Sequence, residues 1–113
     1  VLLNAEANAK LGNDNAAKIA LKSLLKERFA NPAEYAYVDQ LSGQNLLNEI
    51  YLQTRIELWG EGKTYLALKR NKQTIHRGNN HLFHKGATFE YNDEQISFLI
   101  PQAEVLNNPN LNK

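Results

Sequence analysis

The stretch from Gly43 to Trp59 constrains this chain more than any other, because it reads as one helix that is apolar on two faces. At the α-helical period Leu46, Leu47, Ile50, Tyr51 and Leu58 share a broad arc, while Leu52, Ile56 and Trp59 fall on the opposite side. A helix with a single apolar stripe is satisfied by one layer of neighbours; this one calls for protein on both sides. Four short helices can hardly supply both covers, so the pattern predicts that the chain is a fragment of a larger body. Two further features point the same way. The 113 residues contain no Met, and they open on Val1-Leu2-Leu3-Asn4-Ala5-Glu6-Ala7 with no capping residue ahead, as if inside a helix.

The flanking sequence predicts three more helices. Residues 1–11 are rich in Ala and end at Leu11-Gly12, where Gly can take the left-handed conformation that closes a helix. Asn13 or Asp14 can then cap a second helix over about residues 15–29. In it Ala17, Ala20, Leu21, Leu24 and Arg28 form one face, and Lys18, Lys22 and Lys26 form a stripe expected to be solvated. Small side chains in the first helix allow its partner to approach closely, as in helix-pair repeats. Asn31-Pro32 stops the second helix, a connector runs to Ser42 as the N-cap of the third (43–59), and Gly60 and Gly62 separate that from a short helix over 63–70.

From Asn71 the periodicity is lost. Asn79-Asn80, Lys85-Gly86 and Asn92-Asp93 are turn signals, and only Ile96 to Ile100 is apolar and β-branched enough for an extended stretch. Pro101, Pro109 and the Asn cluster at 107, 108, 110 and 112 argue against a regular ending. The expected architecture is therefore all-α: a helical scaffold over 1–70 followed by a long irregular C-terminal arm over 71–113.

Composition removes several functions. Thirteen Lys and Arg balance twelve Asp and Glu, so net charge gives no warrant for a nucleic-acid or membrane-surface partner. Without Cys there is no disulfide framework, no thiolate metal site and no Cys nucleophile. No apolar run approaches the roughly 20 residues that span a bilayer.

Several constellations invite chemistry. Glu57 and Glu61 are four apart and project from one side of the third helix, so they could share a proton or hold a divalent ion. The favoured reading is structural, with both accepting hydrogen bonds from Arg28, Arg55 or helix-end amides. His81-x-x-His84 could offer two zinc ligands, but His76, His81 and His84 lack a third and fourth ligand at matching spacing and read as loop residues. Residues 63–85 hold six Lys or Arg and no acid, yet Tyr65 and Phe83 are too sparse for a base-stacking platform. Tyr35, Tyr37 and Trp59 could stack on sugar rings. Trp59 sits mid-pattern, which favours core packing, whereas Tyr35 and Tyr37 lie in the connector.

The run Leu3-Asn4-Ala5-Glu6-Ala7 and Leu11-Gly12, then Arg55-Ile56-Glu57-Leu58-Trp59-Gly60-Glu61-Gly62-Lys63 leading to Leu68-Lys69-Arg70, and finally Ile100-Pro101-Gln102-Ala103-Glu104 with Asn108-Pro109-Asn110-Leu111, resembles the C-terminal portion of the SusD/RagB family. Gln53 and Thr54 stand where that family usually has a Glu-Arg pair, and Ala67 where an Asp is common. The resemblance implies tetratricopeptide-like helical hairpins in an outer-membrane, cell-surface lipoprotein of Bacteroidetes-type bacteria. Such a protein captures glycans or other nutrients and passes them to a TonB-dependent, SusC-like transporter. It implies no enzyme and no cofactor, a membrane link only through an upstream lipid anchor, and a ligand gripped mainly by parts of the protein outside this chain. Arg55, Glu57, Glu61, Gly62, Arg70, Pro101, Asn108 and Pro109 then belong to the structural motif. Two rival readings stand beside it: a freestanding helical-repeat module that binds a peptide or protein, and a carboxylate-dependent glycan hydrolase using Glu57 and Glu61.

Overall fold

The computed structural model of the chain describes residues 1–111. Helix outweighs strand by 56% to 4%, so the fold is all-α as expected. The chain divides into two compact units, Val1–Ala67 and the residues from Leu68 onward.

In the first unit α1 (Leu2–Lys10) and α2 (Asp14–Leu25) form a hairpin, and α1 also packs against α3 (Gly43–Glu57). Gly12 turns the hairpin at φ +76°, the left-handed geometry that Gly adopts without a Cβ penalty. Asn13 takes the N-cap position of α2, but no side chain caps that end. The Asp14 carboxylate instead accepts from the backbone N–H of Gly43 at 2.9 Å, tying the start of α2 to the start of α3. Close approach comes from Ala5, Ala9 and Ala17, all buried, which let Leu21, Leu25, Leu46 and Ile50 meet with Val38 in one cluster. Each of those larger side chains contributes about 1.5–3 kcal/mol by leaving water.

Four sequence expectations change here. Helix α2 stops at Leu25 rather than Phe29, because Glu27 and Arg28 turn back to the carbonyls of Leu24 and Leu25 in the tighter i to i−3 pattern. Helix α3 stops at Glu57 rather than Trp59, since Leu58 leaves helical geometry at φ −106°, ψ 27° and Gly60 follows at φ +80°. The connector is a 3₁₀ stretch, Pro32–Gln40, started by the Asn31 side chain accepting from Ala33 N–H at 3.0 Å, with Pro32 in the first turn. Thus Asn31-Pro32, which reads as a stop, also starts an element. That element lies against α2, and the lysine stripe is not uniformly solvated. Lys22 pairs with the Asp39 carboxylate at 2.7 Å, and Lys18 donates to the Asp39 carbonyl at 3.1 Å.

Helix α4 (Lys63–Arg70) has the expected bounds. Beyond it Ile75–His76 (β1) and Thr88–Phe89 (β2) pair antiparallel, with Ile75 opposite Phe89 and His76 opposite Thr88. The extended stretch expected at Ile96–Ile100 does not form a strand: Glu94–Ile96 is a 3₁₀ turn, and Phe98, Leu99 and Ile100 are exposed. The expected irregular ending is also corrected. Pro101 takes the N-cap position of α5 (Gln102–Asn107), a place where its missing N–H costs nothing, and Asn108 takes the C-cap. Asn112, counted in the terminal Asn cluster, lies outside the described residues.

Candidate functional site

The two faces of α3 have different fates. Leu46, Ile50 and Thr54 are buried on the inner face, with Leu47 and Tyr51 half-buried beside them. Thr54 is satisfied by its own helix, its hydroxyl donating to the Ile50 carbonyl at 2.8 Å, while Gln53 donates to Glu49 at 2.8 Å. The two residues that depart from the usual Glu-Arg pair are thus both accommodated locally. On the outer face Leu52 is 44% exposed, Ile56 60% and Trp59 86%. The expectation that Trp59 packs in a core is therefore overturned: the turn that ends α3 carries the indole outward.

Leu52, Arg55, Ile56, Trp59, Gly60, Gly62 and Thr64 line an open depression of about 750 Å³. Gly60 and Gly62 sit at φ +80° and +73°, and a Cβ on either would meet nothing within 4 Å, so the floor beside the indole is unfilled. The Arg55 guanidinium lies 5.8 Å from the Tyr51 ring centroid, a cation–π geometry, and has no carboxylate partner among the described residues.

The two glutamates do not form a couple. Glu57 takes a two-pronged interaction from Arg28, one prong being Nε to Oε2 at 2.9 Å, which ties the turn after α2 to the end of α3. The Arg28 hydrogen bond holds the Glu57 carboxyl below its ordinary value, and Arg28 is raised in return. A carboxylate committed in this way is poorly placed to donate a proton. Glu61 lies beyond the helix and pairs with Lys63 at 2.8 Å. Gly62 supplies the left-handed turn into α4, whose last turn ends with Lys69 and Arg70.

Of the connector tyrosines, Tyr35 is half-buried against the core, its ring centroid 6.5 Å from that of Phe29. Tyr37 donates its hydroxyl to Glu49 at 2.7 Å, and burial followed by that hydrogen bond pushes its phenol up to about 12. Tyr35, with Ile19 and the lysine stripe, borders a second depression of about 630 Å³, whose Lys18 and Lys22 are already engaged by Asp39.

The second unit holds the histidines apart. His76 Nδ1 lies 3.3 Å from the Thr88 hydroxyl, His81 Nδ1 lies 3.2 Å from Arg77, and the His84 ring meets Phe89 edge-on at 6.0 Å. Among the described residues no group of three His, Cys, Asp or Glu could hold a metal ion. The closing motif is structural in its geometry: the Asn108 amide donates to Glu104 at 2.7 Å and its Oδ1 accepts from Asn110 N–H at 3.0 Å, which turns the chain at Pro109.

One residue escapes the sequence reading as a site of interest. Glu6 is 6% exposed in the middle of α1 and pairs with Lys10 at 2.9 Å. Its signal is the i, i+4 spacing of opposite charges within the Ala-rich run.

The family model described as the SusD family matches residues 1–113. No curated protein and no solved structure gives a match.

Proposed function

Because the chain belongs to the SusD family, we propose that it is the C-terminal scaffold segment of a cell-surface nutrient-binding protein that works with a TonB-dependent, SusC-like transporter. Capture is noncovalent, by aromatic stacking and hydrogen bonds to ligand hydroxyls, followed by handover to the barrel. The protein is held at the outer membrane by a lipid anchor, and the hairpin of α1 and α2 with α3 is part of a tetratricopeptide-like scaffold. Most of the ligand grip lies in parts of the protein other than these residues.

The observation that supports the scaffold reading is the exposure of Leu52, Ile56 and Trp59 on a helix whose other face buries Leu46, Ile50 and Thr54. No catalytic role is assigned to Glu57 or Glu61, as each is matched to its own cation. The test is affinity of the full-length protein for a panel of surface glycans, repeated with residues 1–113 alone. The expected result is specific affinity in the first and none in the second; retained affinity in the isolated residues would remove the scaffold reading. A Glu57→Gln, Glu61→Gln double variant assayed for glycan turnover checks the non-enzymatic reading, and hydrolysis lost without loss of stability would overturn it.

A further inference from the structure

The hairpin of β1 and β2 is polarised along its length. With Ile75 opposite Phe89 and His76 opposite Thr88, the register puts residues 78–86 at its tip. Thr74 and Glu90 lie at its foot, where the Thr74 hydroxyl donates to the Glu90 carboxylate at 2.9 Å. No Asp or Glu occurs between Glu61 and Glu90, so the tip and its approaches carry Arg77, Lys85 and three histidines without an acid among them. Neither Arg77 nor Lys85 pairs with a carboxylate among the described residues. The whole-chain charge of +1 hides this, because the acids are spent elsewhere.

The same tip is apolar at its centre. Leu82 is 80% exposed and Phe83 68%, side by side between His81 and His84. The loop that carries them is fastened: Arg77 N–H donates to the Ala87 carbonyl at 2.9 Å, Ala87 N–H donates to the His84 carbonyl at 3.1 Å, and the His84 ring meets Phe89 edge-on. Charge decides what such a tip fits. An apolar protein groove would take Leu82 and Phe83 but has no use for the surrounding cations, and a soluble polyanion would take the cations but leave the apolar pair in water. An anionic lipid surface takes both, since apolar side chains enter the boundary of headgroups and acyl chains while Lys and Arg stay among the phosphates.

We infer that the hairpin tip, Leu82 and Phe83 within a collar of Arg77, His81, His84 and Lys85, rests on an anionic lipid surface. The contact is additional to a lipid anchor and does not depend on the nutrient-binding reading.

Co-sedimentation with vesicles tests it, using the full-length protein made without any lipid-anchoring Cys, at neutral pH and low ionic strength. One set of vesicles holds phosphatidylglycerol and phosphatidylcholine in equal parts; the other holds phosphatidylcholine alone. The expected result is partitioning roughly tenfold stronger onto the anionic vesicles, and lost at high salt. A Lys85→Glu variant should lower that partitioning by roughly tenfold. A Leu82→Ser, Phe83→Ser double variant should lower it by roughly fivefold, and circular dichroism should show each variant folded as the parent is. Equal partitioning onto the two kinds of vesicle overturns the inference, as does partitioning onto neither. Binding that is indifferent to Lys85→Glu, or to the double variant, overturns it too. Capture by dextran sulfate without capture by anionic vesicles would make the tip a polyanion site and sink the lipid contact.

Discussion

On α3, Ile50 is fully buried and Ile56, less than two turns further on, is 60% exposed, although the two side chains have the same chemistry. Ile50 has the small side chains of α1 within reach, so the backbone of a neighbouring helix can come close enough to exclude water. Ile56 points at open space. The difference shows that hydrophobicity locates faces that want partners, while the chain's own connections decide which of them are covered.

The sharpest way to break that contrast is to truncate both positions in the 113-residue chain. Ile50→Ala should cost about 2–5 kcal/mol of unfolding free energy in a denaturant titration, as expected for a filled core site. Ile56→Ala should stay within about 0.5 kcal/mol, as a surface change does. Equal losses at the two sites would mean that the outer face is covered.

A smaller effect sharpens the inner boundary, where the 3₁₀ stretch is fastened to α3 by Tyr37 and Glu49. Tyr37→Phe should cost about 1 kcal/mol by removing one hydrogen bond. In the parent chain the phenol is raised from 10 to about 12, so its contribution is present in full below pH 10 and is lost as the pH climbs towards 12. Ultraviolet titration of tyrosinate, compared between parent and variant, checks the assignment. A Tyr37 phenol that ionises at its ordinary value would remove the fastening.

The smallest expected effect concerns Glu57. Its carboxyl is held below the ordinary 4.5 by Arg28, so its stabilising contribution is present above that pH and fades as the pH falls through the lowered value. Replacing it in Glu57→Gln should lower neutral stability slightly and flatten the acid limb of the stability profile by the same small amount, measured by circular dichroism. An unaltered acid limb would show that the ion pair is only a surface contact.

Much of the helical unit is legible in the sequence, and the failures have physical causes. The Leu11-Gly12 turn and the bounds of α4 follow from glycine geometry and periodicity. The 3₁₀ stretch does not, because Asn31-Pro32 carries a stop and a start at once and only the stop is evident from the residues that precede it. Pro101 misleads for the opposite reason: a proline that breaks a helix interior is well tolerated at its beginning. The extended stretch expected at Ile96–Ile100 rests on composition and finds no pairing partner, whereas the short ladder of Ile75–His76 with Thr88–Phe89 is held by pairing that composition does not reveal. At the candidate site the double-sided pattern of α3 is plain, but the pattern alone places Trp59 in a core, because periodicity extends past the point where Leu58 and Gly60 end the helix.

Trp59 is the single Trp in the chain, which makes its fluorescence a clean reporter of the outer face of α3. In the folded 113-residue chain its emission should be that of a hydrated indole, quenched by acrylamide nearly as readily as in the urea-unfolded chain. A blue-shifted emission, shielded from acrylamide and released only on unfolding, would contradict it.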